Sequence, residues 1–344
     1  MLYIILKTAG LFYFSLTNLN RFMDNILIIG AAGQIGSELT VELRKNYGSD
    51  HVYATDIKEA SRDIMQSGPF QLMDVMDDKR LIHFVIRHKI TQIYHLAAVL
   101  SGNAERLPLQ AWHINMESLM NILEVARMVE EVKKVFWPSS IAVFGPTTPK
   151  RKTAQLTIME PSTVYGISKL TGERWCEYYN RKYNLDIRSI RYPGLISYKT
   201  EAGGGTTDWA VEIFYEAVKK NSYECFLKKD TALPMLFMAD AIKATIDLME
   251  ADHSKLTVQS SYNLGGISIT PEQINDEIIK HIPDFKILYK PDFRQDIADS
   301  WPQSIDDSVS KNDWGCCYEF DLSSITEIML EEISKKLNLR ILER

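Results

Sequence analysis

The chain has 344 residues, 45% apolar and 24% charged, with a formal net charge of −6 and a pI near 5.7. That length holds one large or two modest domains around a substantial core. The acidic balance, without any Lys/Arg block, excludes an electrostatic footprint for nucleic acid. Four cysteines, Cys176, Cys225, Cys316 and Cys317, form neither a CxxC nor a disulfide framework, so a reducing compartment such as the cytoplasm is expected. The seven histidines include no HxH or HxxxH pair, and no protein-bound catalytic metal is expected.

Residues 1–22 contain no Asp or Glu and two apolar runs too short and broken to span a bilayer. They read either as sequence ahead of a true start at Met23 or as a targeting segment, which as a presequence would direct the protein to mitochondria. Beyond them no stretch approaches 18 uninterrupted apolar residues, so no membrane association is expected.

Residues 25–29 are a short apolar run rich in β-branched residues, the mark of a strand buried on both faces. A helical pattern with Ile35, Leu39 and Leu43 on one side follows and stops near Gly48. Further strands are expected at 51–55, 70–73, 92–96, 134–137 and 187–191. Helices are expected at 77–88 and 107–131 and around Tyr165. This alternation predicts right-handed crossovers and an α/β fold with a doubly wound parallel sheet, whose ligands bind at the carboxyl ends of the strands. After about residue 194 the alternation breaks down. Gly203, Gly204 and Gly205 read as a loop, residues 210–220 and 239–250 as helices, and 262–264 and 286–289 as short strands. The expected organisation is a dinucleotide-binding domain over 23–195 and a smaller cap over 196–344, with some elements returning to the first domain.

Three groups of residues carry chemistry. Gly30, Gly33 and Gly36, with Gln34 and Ile35 between them, lie between a buried strand and an amphipathic helix. Glycines there allow a tight turn and let backbone N–H groups approach a pyrophosphate at a helix N-terminus. Asp56, 20 residues beyond Gly36, ends the second strand, where a carboxylate accepts from ribose hydroxyls and repels a 2′-phosphate; this favours NAD over NADP. Asp74 and Val75 close the third strand beside the expected adenine site. Leu96, Ala97 and Ala98 close the fourth, small enough for a backbone that passes beside a cofactor. Tyr165 and Lys169 are four apart, hence one turn apart on one helix face, where an ammonium favours a phenolate that accepts a proton. Ser139 and Ser140 end the fifth strand, and a hydroxyl there can hydrogen-bond the oxygen being deprotonated.

The glycine trio, the aspartate after the second strand, His95-Leu-Ala-Ala98, Pro138-Ser-Ser140 with Ala142-Val-Phe-Gly145, and Tyr165-Gly-Ile-Ser-Lys169 together resemble the extended short-chain dehydrogenase/reductases, the group of nucleotide-sugar epimerases and dehydratases. Arg191-Tyr-Pro-Gly194, the run 203–208, Leu233-Pro-Met235 and Ser300-Trp-Pro302 narrow the resemblance to the short-chain type of L-threonine 3-dehydrogenase. The resemblance implies zinc-free oxidation of L-threonine at C3 to 2-amino-3-oxobutyrate, with hydride passing to NAD. Tyr165 would take the hydroxyl proton, Lys169 would lower the tyrosine pKa and hold a nicotinamide ribose, and Ser140 would orient the substrate oxygen beside Ser139. It also implies cofactor roles for Asn115, as support for the lysine, and for Tyr192. Ser101, Thr206, Thr207 and Trp301, the last as a lid, are candidates for the amino acid's carboxylate and ammonium. Members of the family pair through their long helices, which implies a homodimer.

Overall fold

The structure, a computed structural model, describes residues 24–200, 203 and 205–338. The expectations for residues 1–22 and for Gly204 lie outside the described residues. In chain order the first half contains β1 (Ile26–Ile29), α1 (Gln34–Tyr47), β2 (Val52–Asp56), α2 (Arg62–Gln66), β3 (Phe70–Leu72), α3 (Asp78–Arg87), β4 (Gln92–His95), α4 (Ser101–Arg106), α5 (Pro108–Met128), β5 (Lys134–Ser140), α6 (Val164–Tyr183) and β6 (Ile187–Tyr192). The second half contains β7 (Gly194–Ile196), α7 (Trp209–Lys220), β8 (Ser222–Cys225), β9 (Leu233–Phe237), α8 (Met238–Glu250), β10 (Tyr262–Asn263), β11 (Ile267–Ile269), α9 (Pro271–His281), β12 (Lys286–Tyr289), α10 (Arg294–Ser300), α11 (Ser308–Trp314) and α12 (Leu322–Leu337).

Seven strands form one sheet in the order β3-β2-β1-β4-β5-β6-β10, and every neighbouring pair is parallel. The chain order reverses between β1 and β4, so the crevice at their carboxyl ends is the switch point where a doubly wound sheet binds its ligand. Successive residues of β1 serve opposite faces. Leu27 and Ile29 pack with Leu119, Leu123 and Cys176, whereas Ile26 and Ile28 pack with Leu39, Leu43, Ala241 and Leu248. A third cluster joins Ile141–Val143 and Phe144 to Trp209, Phe214, Met235, Ile274 and Met329, so the backbone just past β5 packs into the core of the second half. Two small sheets complete that half, β7-β9-β11 and β8-β12.

The helix expected over 107–131 is α5, from Pro108 to Met128, and a separate short helix, α4, precedes it over Ser101–Arg106. Pro108 occupies the first position of α5 behind Leu107, whose extended φ of −132° ends the separate helix α4. Proline lacks the N–H that would continue a helix through it, so α4 ends before it and Pro108 opens α5. The fifth strand runs three residues further than its apolar run and takes Ser139 and Ser140 into the sheet, paired with Arg191 and Tyr192.

Candidate active site

The glycine turn is dictated by backbone proximity. Gly30 has φ +89°, and a Cβ on it would lie 2.7 Å from Ala97 N; a Cβ on Gly36 would overlap the Gly30 carbonyl oxygen. The turn is held by Gly30 N and Ala31 N donating to Thr55 O at 2.9 and 3.0 Å. Gly33 opens α1 with extended dihedrals and without a side-chain cap, so the positive end of the helix faces the crevice. The Asp56 carboxylate accepts from Ala32 N at 2.9 Å and from Lys58 N at 3.2 Å, which orients it beside the turn. Leu96, Ala97 and Ala98 form the opposite wall. Asp74 is exposed and accepts from Met76 N, and Val75 is buried with its carbonyl bonded by Asn121.

At the ends of β5 and α6, Tyr165, Lys169 and Ser140 come together. Thr163 caps α6 by accepting from Gly166 N, and this starts the helix at Val164, one residue before Tyr165. Lys169 is buried; its Nζ donates to Pro138 O at 2.6 Å and lies 4.5 Å from the Trp137 ring centroid and 5.5 Å from that of Tyr165. Burial pushes the Tyr165 phenol up to about 12, and the hydrogen bond with Ser140 opposes this. Burial brings the Lys169 ammonium down to about 7, against the raising effects of Cys176 and Glu173. Desolvation is therefore the larger influence on both groups.

The model of the NAD-dependent epimerase/dehydratase family matches residues 26–265. The chain belongs to that family. It is 49% identical over 316 residues to an uncharacterized epimerase/dehydratase of Staphylococcus haemolyticus, covering 91% of this chain and 99% of the relative. Among solved structures it resembles the holo form of a GalE-like L-threonine dehydrogenase from Cupriavidus necator, with 51% identity, TM-score 0.87, and coverage of 90% of this chain and 99% of that one. It also resembles the L-threonine dehydrogenase of Clostridium difficile, with 44% identity, TM-score 0.88, and coverage of 91% and 98%.

NAD is the cofactor of this family member, and the residues present fit it. The glycine cradle leaves no room for side chains, a helix N-terminus faces the crevice, and a carboxylate rather than a cation stands at the end of β2. The chemistry to which these parts belong is that of an NAD-dependent oxidoreductase.

Several side chains lie elsewhere than the sequence suggests. Ser139 and Ser140 are adjacent in a strand and point to opposite faces, and Ser139 Oγ donates to Glu173 at 2.6 Å, away from Tyr165. The Tyr192 phenol hydrogen-bonds Thr245 Oγ1 inside the core. The Asn115 carboxamide brackets the backbone of Val99 at 2.7 and 3.1 Å and reaches Ser168 at 3.5 Å. Trp301 is 5% exposed and packs within the second-half core. Thr206 and Thr207 lie just ahead of α7, whose N-cap position is Asp208. Thr206 is 1% exposed, and its hydroxyl finds no hydrogen-bond partner among the described residues. Ser101 is buried at the start of α4. Sequence reasoning missed Trp137 and Glu173, the second of which carries a readable signal: it stands four residues after Lys169 on the same helix.

Asp56→Asn is expected to weaken NAD binding about 10- to 100-fold, the scale of losing hydrogen bonds to a charged group, and to narrow the preference over NADP. Titration of intrinsic fluorescence with both dinucleotides reads this, and an unchanged NAD Kd places the ribose elsewhere.

Proposed function

We propose that the protein is an L-threonine 3-dehydrogenase that oxidises L-threonine to 2-amino-3-oxobutyrate. The observation that carries the proposal is the Tyr165, Lys169 and Ser140 constellation at the end of β5, together with near full-length likeness to proteins named L-threonine dehydrogenases. NAD, when bound, supplies the two-electron acceptor. Gly30, Gly33 and Gly36 hold its pyrophosphate with the amides around Gln34 and Ile35, Asp56 its adenosine ribose, and Asp74 and Val75 the adenine side. Tyr165 Oη accepts the proton of the C3 hydroxyl, and Ser140 Oγ hydrogen-bonds the same oxygen. The charge on Lys169 favours the phenolate once Tyr165 has passed its own proton to solvent. Ser101, Thr206 and Thr207 meet the carboxylate and ammonium of the substrate, and the unpartnered hydroxyl of Thr206 supports this assignment. No zinc takes part in this scheme, because proton transfer falls to Tyr165. The proposed setting is threonine catabolism in the cytoplasm.

Pairing of two copies through α5 and α6 belongs to the same proposal. These helices carry Leu109, 84% exposed, and half-exposed Trp112, Trp175 and Tyr178, an apolar face of the kind that a partner covers. Light scattering is expected to give twice the chain mass; a monomer at micromolar concentration refutes the pairing.

Tyr165→Phe is expected to bind NAD normally and to turn over at least about 100-fold more slowly, the usual scale for loss of an acid–base group. NADH absorbance with L-threonine reads both proteins, and a wild-type chain that yields none overturns the proposal. The description of the staphylococcal relative favours a second reading, epimerisation or dehydration of a nucleotide sugar, which thermal shift with UDP- and GDP-sugars detects.

Lys169 also links pH to stability. Its folded pKa near 7 lies below the unfolded value of 10.5, so burying the charged form costs stability. That cost is absent above about pH 10.5, grows as pH falls, and is complete below about pH 7. The melting temperature of Lys169→Met relative to wild type is therefore expected to be most favourable near pH 6 and to decline toward pH 10. Differential scanning calorimetry across that range checks the slope.

A further inference from the structure

The cleft leaves one buried ionic pair without a stated task. Glu173 is fully buried on α6, one turn beyond Lys169. Arg191 of β6, 1% exposed, binds it with both arms, Nε to Oε1 at 2.9 Å and Nη2 to Oε2 at 2.8 Å. Ser139 Oγ supplies a third bond to Oε1 at 2.6 Å, and Arg174 approaches Oε2 at 3.9 Å from the surface. Arg191 Nη1 donates to Gln155 O and Asn263 Oδ1, both at 3.0 Å. The charged and titratable groups around Lys169 are Tyr165, Glu173 and Cys176 on its own helix, His95 at the end of β4, and Arg191 behind Glu173. His95 is held neutral, its pKa brought down to about 3 by burial and by Lys169 itself. The Cys176 thiol is pushed up by burial and is neutral too. Glu173 is thus the carboxylate that stands next along α6 from the lysine, bridged by Arg191 and Ser139.

We infer that Glu173, with Arg191, is a positioning residue for catalysis: its buried carboxylate keeps the Lys169 ammonium charged, and its bond to Ser139 fixes the end of β5 so that Ser140 faces Tyr165. Both parts follow from the placement of one carboxylate between two functional segments. Charge on Lys169 is what supports a phenolate at Tyr165, and removal of the ammonium from water opposes that charge. Rotation of the last β5 residues would exchange the faces of Ser139 and Ser140. The bond from Ser139 to Glu173 opposes that rotation. The inference rests on the dehydrogenase chemistry proposed above.

The test is the pH dependence of kcat with L-threonine and saturating NAD for wild type, Glu173→Gln, Glu173→Asp and the double variant Glu173→Gln/Arg191→Met. In Glu173→Gln the pH at which activity is lost through deprotonation of Lys169 is expected to fall by about one unit, the scale of losing one nearby opposite charge. Glu173→Asp keeps the charge and is expected to keep the wild-type limb with a lower kcat. The double variant, which leaves no unpaired buried arginine, is expected to show a smaller downward shift. A limb that stays at its wild-type position in any folded variant lacking the carboxylate, with circular dichroism and NAD Kd intact, overturns the inference. A wild-type chain inactive on L-threonine refutes the proposed function instead, and thermal melting at pH 7 then decides the inference. Lys169→Met should raise the melting temperature more in the Glu173→Gln/Arg191→Met background than in wild type, and equal changes overturn it.

Discussion

The ion pair between Arg191 and Glu173 ties together more of this molecule than any motif does. Its members lie on β6 and α6, and its hydrogen bonds reach Ser139 on β5, Gln155 in the segment after β5, and Asn263 on β10. Asn263 extends the network by donating to the carbonyls of Thr153 and Asp306, and Ser310 of α11 donates to the Asn263 carbonyl. Such a pair adds little net stability over an apolar replacement, yet breaking one side of it costs about 3–5 kcal/mol. The physical consequence is geometric. Both carboxylate oxygens have partners, so the last residues of β5, the middle of α6 and the return strand β10 have one mutual arrangement.

That arrangement explains the asymmetry between two adjacent serines. Strand geometry requires Ser139 and Ser140 to face opposite ways, and the buried carboxylate decides which one faces the interior. Packing acts in the same direction. Ile141–Val143 and Phe144 are buried in the second-half core immediately after Ser140, which anchors the backbone on its far side. Around Lys169 the balance is electrostatic: ring faces and a carbonyl enclose the ammonium, and burial affects it more than any neighbour does. A cleft of low polarity makes each remaining charge count for more than it would in water.

Much of the first half was legible in the sequence because its signals are local. The apolar run of β1, the glycine turn and the small residues after β4 each declare themselves within a few positions, and β1 is buried along its whole length. The start of α5 was equally legible at Leu107-Pro108, whereas the short helix α4 ahead of it was not. The second half was less readable. Strands β7, β9 and β11 have three to five residues each and pair across dozens of positions, with no periodicity long enough to separate them from loop. The burial of Trp301 and the inward turn of Tyr192 were hidden for the same reason, since each depends on residues distant in the chain.

The sequence by itself determined the alternation of strands and helices, the glycine cradle with Asp56, and the spacing that sets Tyr165 and Lys169 on one helix face. These depend on chain stiffness and helical or pleated period, which act between near neighbours. The tertiary structure alone decided that Ser139 turns inward to Glu173, that Asn115 serves the Val99 backbone, and that Glu173 and Arg191 lie behind the lysine. Those outcomes follow from burial and from which polar partners remain once the sheet, α6 and the second half have packed together, and no local pattern encodes that competition.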